Sequence, residues 1–108
     1  MECFPCPYLH GEVELTGERE CHIAERHPDF IPGERPRIAE TLAHPDQVRR
    51  SERFGKARLF SRWYKALHGG KHVVVVVVTE EGSIRRNWIV TAYLTRSLAE
   101  GETEWKRG

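Results

Sequence analysis

Lys71-His-Val73-Val-Val-Val-Val-Val78-Thr79-Glu-Glu-Gly82-Ser-Ile-Arg-Arg-Asn-Trp88-Ile-Val-Thr91-Ala-Tyr93-Leu-Thr95 decides the fold. β-Branched side chains lose χ1 freedom in a helix and pack well on a pleated sheet, so the valines at 73–78 form a strand. Polar residues flank the run, and it is too short to span a bilayer. A segment apolar on both faces predicts a central strand covered on both sides. Thr79-Glu-Glu-Gly82-Ser is a turn, and a second strand follows from Trp88. Regular alternation places Trp88, Val90, Ala92 and Leu94 on one face of it. Asn87, Ile89, Thr91 and Tyr93 then take the other.

Working outward, His68-Gly-Gly70 is a hairpin signal leading into the valines. Ala57 to Ala66 is a third strand, with Leu59, Ser61 and Trp63 on one face and Arg58, Phe60, Arg62 and Tyr64 on the other. Gln47 to Arg53 is a further candidate strand, closed by a Phe54-Gly55-Lys56 turn. Nearer the N-terminus, Glu12-Val-Glu-Leu-Thr16 alternates as a short edge strand. Thr16 can cap a helix running to about His27, with Glu18 near its positive end, and Pro28 stops it. A proline- and glycine-rich loop covers Phe30 to Pro36. A second helix spans Arg37 to Ala43, with Ile38 and Leu42 one turn apart, and Pro45 ends it. After Ser97, Glu100-Gly-Glu is a turn, Trp105 packs back, and the chain frays from Lys106. The pattern predicts one α+β domain over residues 1–108: two N-terminal helices packed on a four- to five-stranded antiparallel sheet.

A 12.5 kDa chain has room for one core. Charged residues make up 31% of it, yet the net charge is +1, so no global basic field draws it to nucleic acid. The charge is local instead. Glutamates dominate the start and end, while Arg49 to Lys71 is basic around aromatic residues. No apolar stretch is long enough for a membrane helix, and no signal segment opens the chain, which predicts a cytoplasmic protein. The three cysteines are an odd count, which argues against a secreted disulfide framework.

Four constellations could carry chemistry. Cys3-x2-Cys6 with His22-x4-His27 fits a two-cysteine, two-histidine zinc spacing. Against it, the intervening segment contains its own strand, and His27 precedes Pro28 at a helix end; the plainer reading is that Cys6 and Cys21 are small buried thiols and Cys3 lies on a mobile terminus. His22 and Arg26 share a helix face, pairing a proton-transfer group with an anion-holding cation. The plainer alternative is a helix-end histidine beside a solvated arginine. Arg58, Arg62 and Tyr64 project from one strand face, with Lys65 on the other; guanidiniums can fork onto phosphate and an aromatic can stack a base. The same residues could instead be a solvated face whose arginine stems cover apolar sheet. Thr91 and Tyr93 place two hydroxyls on a central strand, needing a ligand or a neighbouring strand as partner. The chain has no Gly-rich phosphate loop, GxSxG elbow or HExxH motif, so the residues favour acid–base chemistry on an anion without a metal or other cofactor.

In order, Cys6-Pro-Tyr-Leu, Glu12-Val-Glu-Leu-Thr16, His22-Ile-Ala-Glu-Arg-His27-Pro, Thr41-Leu-Ala-His-Pro45-Asp-Gln-Val48, Arg62-Trp-Tyr64, the valine strand and Ile89-Val-Thr91-Ala-Tyr93 span nearly the whole chain. This succession resembles the barnase–EndoU–colicin–RelE-like nuclease superfamily, in particular its phage- and plasmid-borne branch. The resemblance implies a metal-independent endoribonuclease with helices on one side of an antiparallel sheet and RNA on the other. There the ribose 2′-hydroxyl attacks the adjacent phosphate and leaves a 2′,3′-cyclic end. It implies that His22 transfers the proton, Arg62 and Arg58 stabilise the phosphorane charge, Tyr64 orients phosphate or base, and Thr91 bonds the phosphate. Arg26, Arg58, Lys65 and Tyr93 are then the further substrate contacts. RNA is the expected partner, and a toxin of this kind would be held by an antitoxin protein. Two non-catalytic alternatives stand beside it: an RNA- or protein-binding module using the Arg58–Lys65 strand, and a zinc-stabilised binding domain.

Overall fold

The structure, a computed structural model, describes residues 1–51, 56–98 and 101–107. Seven strands form one sheet: β1 (Glu2–Cys6), β2 (Gly11–Leu15), β3 (Gln47–Arg50), β4 (Ala57–Tyr64), β5 (Lys71–Glu80), β6 (Arg86–Thr95) and β7 (Glu102–Lys106). Two short helices, α1 (Gly17–Arg26) and α2 (Pro36–Ala43), accompany it. The spatial order is β1-β2-β6-β5-β4-β3-β7. Every pairing is antiparallel except β2 with β6, which run parallel and meet at a single pair, Glu14 and Trp88. The expected four- to five-stranded antiparallel sheet is therefore corrected to a mixed, seven-stranded one.

Two strands account for the difference. β1 carries a proline and two cysteines in five residues and gives no alternation signal, yet it pairs along its whole length with β2. That pairing makes β1 the edge and moves β2, the expected edge, one place inward. β7 pairs with β3 over Glu102–Lys106, so the segment around Trp105 is a strand that reaches Lys106, where fraying was expected to begin. Beyond it, the Arg107 N–H bonds the Asp46 carbonyl at 2.8 Å. Strand β3 ends at Arg50, one residue before Ser51, whose N–H bonds the Ala57 carbonyl at 3.0 Å; residues 52–53 of the expected strand and 54–55 of the expected turn lie outside the described residues.

The valine strand β5 is the fourth of seven. Val73, Val75 and Val77 join Phe60, Ile89, Ala92, Val48 and the helix residues Ile23, Ile38 and Leu42 in one core. Val74, on the opposite face, is 1% exposed, while Val76 and Val78 are half-buried. The strand is thus covered fully on one side and in part on the other. Pairing with β6 shifts register between Val76 and Val77, where Thr91 and Ile89 are the successive partners. Val90 is the extra residue of a β-bulge. It turns Ile89 toward the core beside Ala92 and Leu94, and leaves Trp88, Thr91 and Tyr93 on the other face. Unbroken alternation had assigned Ile89 and Trp88 the reverse way.

Helix α1 begins where expected: Thr16 Oγ1 accepts the Arg19 N–H at 3.1 Å. It packs along β6 and buries Ile23. Helix α2 lies across β1, β4 and β5. At the far edge, Glu104 of β7 gathers three donors: Tyr8 Oη at 2.7 Å, Arg58 Nε at 2.7 Å and Arg50 Nη2 at 2.7 Å. Tyr8 also packs edge-on to Phe60 and tilts against Trp105, each at 5.9 Å between centroids. Partial burial alone would raise the Glu104 pKa, but the Tyr8, Arg58 and Arg50 hydrogen bonds outweigh it and hold the carboxyl at about 2, against an ordinary 4.5. A carboxylate lowered on folding stabilises the protein above its unfolded pKa and loses that contribution as pH falls toward the folded value. Thermal melts should therefore show stability declining between about pH 4.5 and 2, with a shallower decline in Glu104→Gln; equal slopes in the two proteins would remove the role given to this carboxylate.

Candidate functional site

Arg58, Arg62 and Tyr64 do share a strand face, opposite Val77, Val73 and Lys71 of β5. Val73 and Val77 face the core under α2, so this is the helix side of the sheet. Each of the three is engaged by the protein itself. Arg58 is held by Glu104. Arg62 Nη1 donates to the His44 carbonyl at the end of α2, 2.6 Å away. Tyr64 Oη donates to Glu40 Oε1 at 2.6 Å, and Arg37 of α2 bonds the same carboxylate at 3.1 Å. The guanidiniums of Arg37 and Arg62 lie 4.8 and 5.7 Å from the Tyr64 ring centroid. Burial, then the hydrogen bond to Glu40, pushes the Tyr64 hydroxyl up to about 12. Tyr64 is a neutral hydrogen-bond donor that fastens α2 to β4. Lys65 is exposed in the turn that follows.

The face away from α2 is organised differently. Register puts Leu59, Ser61 and Trp63 of β4 opposite Val76, Val74 and His72 of β5, and Thr91 and Tyr93 of β6 opposite Val76 and Val74. Trp63 is 45% exposed and meets His72 edge-on at 4.8 Å. Because α1 runs along β6, His27 at its C-terminus reaches this face and tilts against Tyr93 at 5.6 Å. Burial raises the Tyr93 hydroxyl pKa. Burial likewise lowers that of His72, opposed by the Asp46 carboxylate. Trp63, His72, Tyr93 and His27 thus set aromatic rings on three adjacent strands and a helix end, with Thr91 two residues along β6 from Tyr93.

His22 and Arg26 are exposed. His22 lines a shallow groove of about 370 Å³ with Glu18, Arg19, Cys21 and Glu25, all from α1. The eight anticipated site residues are therefore divided. Arg58, Arg62 and Tyr64 lie on the helix side, Thr91 and Tyr93 on the opposite face, His22 and Arg26 on the outside of α1, and Lys65 in a turn. The zinc spacing does not assemble: Cys6 is buried, Cys3 is exposed, and among the described residues no three His, Cys, Asp or Glu side chains are placed to hold a metal.

Glu40, Arg37, His27, His72 and Trp63 carry the contacts that the expected set lacked. For His72 and Trp63 the signal was strand parity: it groups both with Val74, Val76 and Val78 once β4 and β5 are paired. For Glu40 and Arg37 no signal existed, since their importance depends on α2 crossing β4. Comparison with protein-family models, curated proteins and solved structures finds no match to this chain.

A Tyr64→Phe substitution removes one hydrogen bond and leaves Glu40 the Arg37 guanidinium. It should cost about 1 kcal/mol in denaturant unfolding; a change within error would show that the hydroxyl does not fasten α2.

Proposed function

We propose that this chain is a metal-independent endoribonuclease domain that takes RNA on the sheet face away from α2. The observation that carries the reading is the contact of His27 with Tyr93 on that face, beside Thr91. An imidazole there can accept the proton of a ribose 2′-hydroxyl as O2′ attacks phosphorus, and return it to O5′ as the P–O5′ bond breaks. The products are a 2′,3′-cyclic phosphate and a 5′-hydroxyl. The Thr91 hydroxyl can donate to a phosphate oxygen. Arg26, exposed at the last turn of α1 and next to His27 in the chain, can offset the charge that builds on phosphorus. His27 takes the proton-transfer role first expected of His22, which faces outward from α1. In this reading Arg62 and Tyr64, held on the α2 side, take no part in the reaction.

A second reading, RNA binding without cleavage, is favoured by the exposed Trp63 ring against His72, a surface on which a base can stack.

Metal-free protein incubated with mixed cellular RNA, with product ends analysed, separates the two. Cleavage with cyclic phosphate ends, abolished in His27→Ala and retained in His22→Ala, is the expected result. RNA bound but left intact, with affinity lowered about tenfold by Trp63→Ala and little changed by His27→Ala, would establish the second reading instead. No binding and no cleavage would refute both.

A further inference from the structure

Trp63 and Tyr64 are consecutive in β4 and point to opposite faces of the sheet, so the end of the β4–β5 hairpin joins the aromatic face to the α2 side. On the α2 side, Tyr64 sits among cations. Arg37 and Arg62 flank its ring. Lys71 is its cross-strand partner in β5, and Lys65 is the next residue of the chain. Against these four stand two carboxylates, Glu40 and Glu34, both taken by Arg37, while Asp46, which accepts the Trp63 N–H, is balanced by its own ion pair with Arg107. Among the described residues neither Lys65 nor Lys71 makes an ion pair, and Arg62 uses only Nη1, on the His44 carbonyl. The cluster therefore carries two more cations than carboxylates, in a chain whose net charge is only +1. Its unused donors lie at the hairpin end rather than inside the core.

We infer that a single strand of RNA stacked on Trp63 continues around the β4–β5 hairpin end, and that its phosphates there rest on Lys65, Lys71 and the free edge of Arg62. The inference rests on the RNA reading above and adds a path and a polarity of contact to it: bases on one face, backbone on the other. Ion pairs to phosphate carry no base information, so this stretch should bind any sequence alike. It would also supply the electrostatic attraction that the near-neutral chain otherwise lacks.

The test uses a short 2′-O-methyl oligouridine, which cannot be cleaved by 2′-hydroxyl attack, titrated by fluorescence anisotropy across a range of salt. The double variant Lys65→Gln/Lys71→Gln removes no contact that holds the fold, and Arg62→Gln is measured beside it with a thermal melt. For single strands each lost phosphate contact reduces the slope of log K against log salt by about 0.7, so the double variant should lose about 1.4. Its effect should be the same on oligouridine and oligoadenine. An unchanged slope with binding intact would overturn the inference while leaving the RNA reading in place. Wild-type protein that binds neither oligomer would overturn the RNA reading and this path with it.

Discussion

The rest of the molecule depends on β5 having a strand on each side. A ten-residue strand with an unbroken valine centre can satisfy its backbone only if both its edges are paired, and β4 and β6 do this along nearly its full length. Once that three-strand centre exists, the remaining elements have little freedom. The core-facing valines require a lid, which α2 supplies through Ile38 and Leu42. On its outer side β6 meets β2, paired at Glu14 and Trp88, and α1, which is entered directly from β2. The outer edge of β4 is extended by β3 and then β7.

The same division settles where chemistry can occur. On the α2 side, polar groups are committed to one another: Tyr64 to Glu40, Arg62 to a helix-end carbonyl, Arg58 to Glu104. Such contacts position backbone, and they leave little donor capacity for a ligand except at the hairpin end. On the opposite face Trp63 meets His72 and His27 meets Tyr93 ring to ring, and Trp63 is exposed. The distinction lies in what each group already holds, since both faces carry aromatic residues and titratable groups.

How much of this could be read beforehand follows from the range of each interaction. Thr16, Pro28 and Pro45 act on their immediate neighbours, so α1 and the end of α2 were legible, as was the valine hairpin. Grouping Arg58, Arg62 and Tyr64 on one face was correct for the same reason. Which face received the helix was not legible, because it depends on how α2 returns over the sheet. The bulge at Val90 was also hidden: nothing in Trp88-Ile-Val-Thr91 marks one residue as extra, and it is the pairing with β5 that forces it. β1 and β7 escaped because their pairing partners, rather than their own alternation, make them strands. No helix among the described residues is long and apolar enough to cross a membrane, in line with the absence of such a stretch in the chain.

The placement of the valine run also bears on how safely the chain can fold. Six consecutive valines with no charge or proline are the kind of segment that joins other copies of itself into cross-β stacks when left unpaired. Here both of its partners are its neighbours in sequence, reached through the turns at Lys65–Gly70 and Glu81–Arg85. Closing short loops carries a small entropic penalty and is fast, so the adhesive strand can be enclosed before any distant element arrives. The finished sheet then turns two other strands outward: β1, which contains Pro5, and β7, with charges at the alternate positions Glu102, Glu104 and Lys106. Both are short, and neither offers a clean template for a further strand.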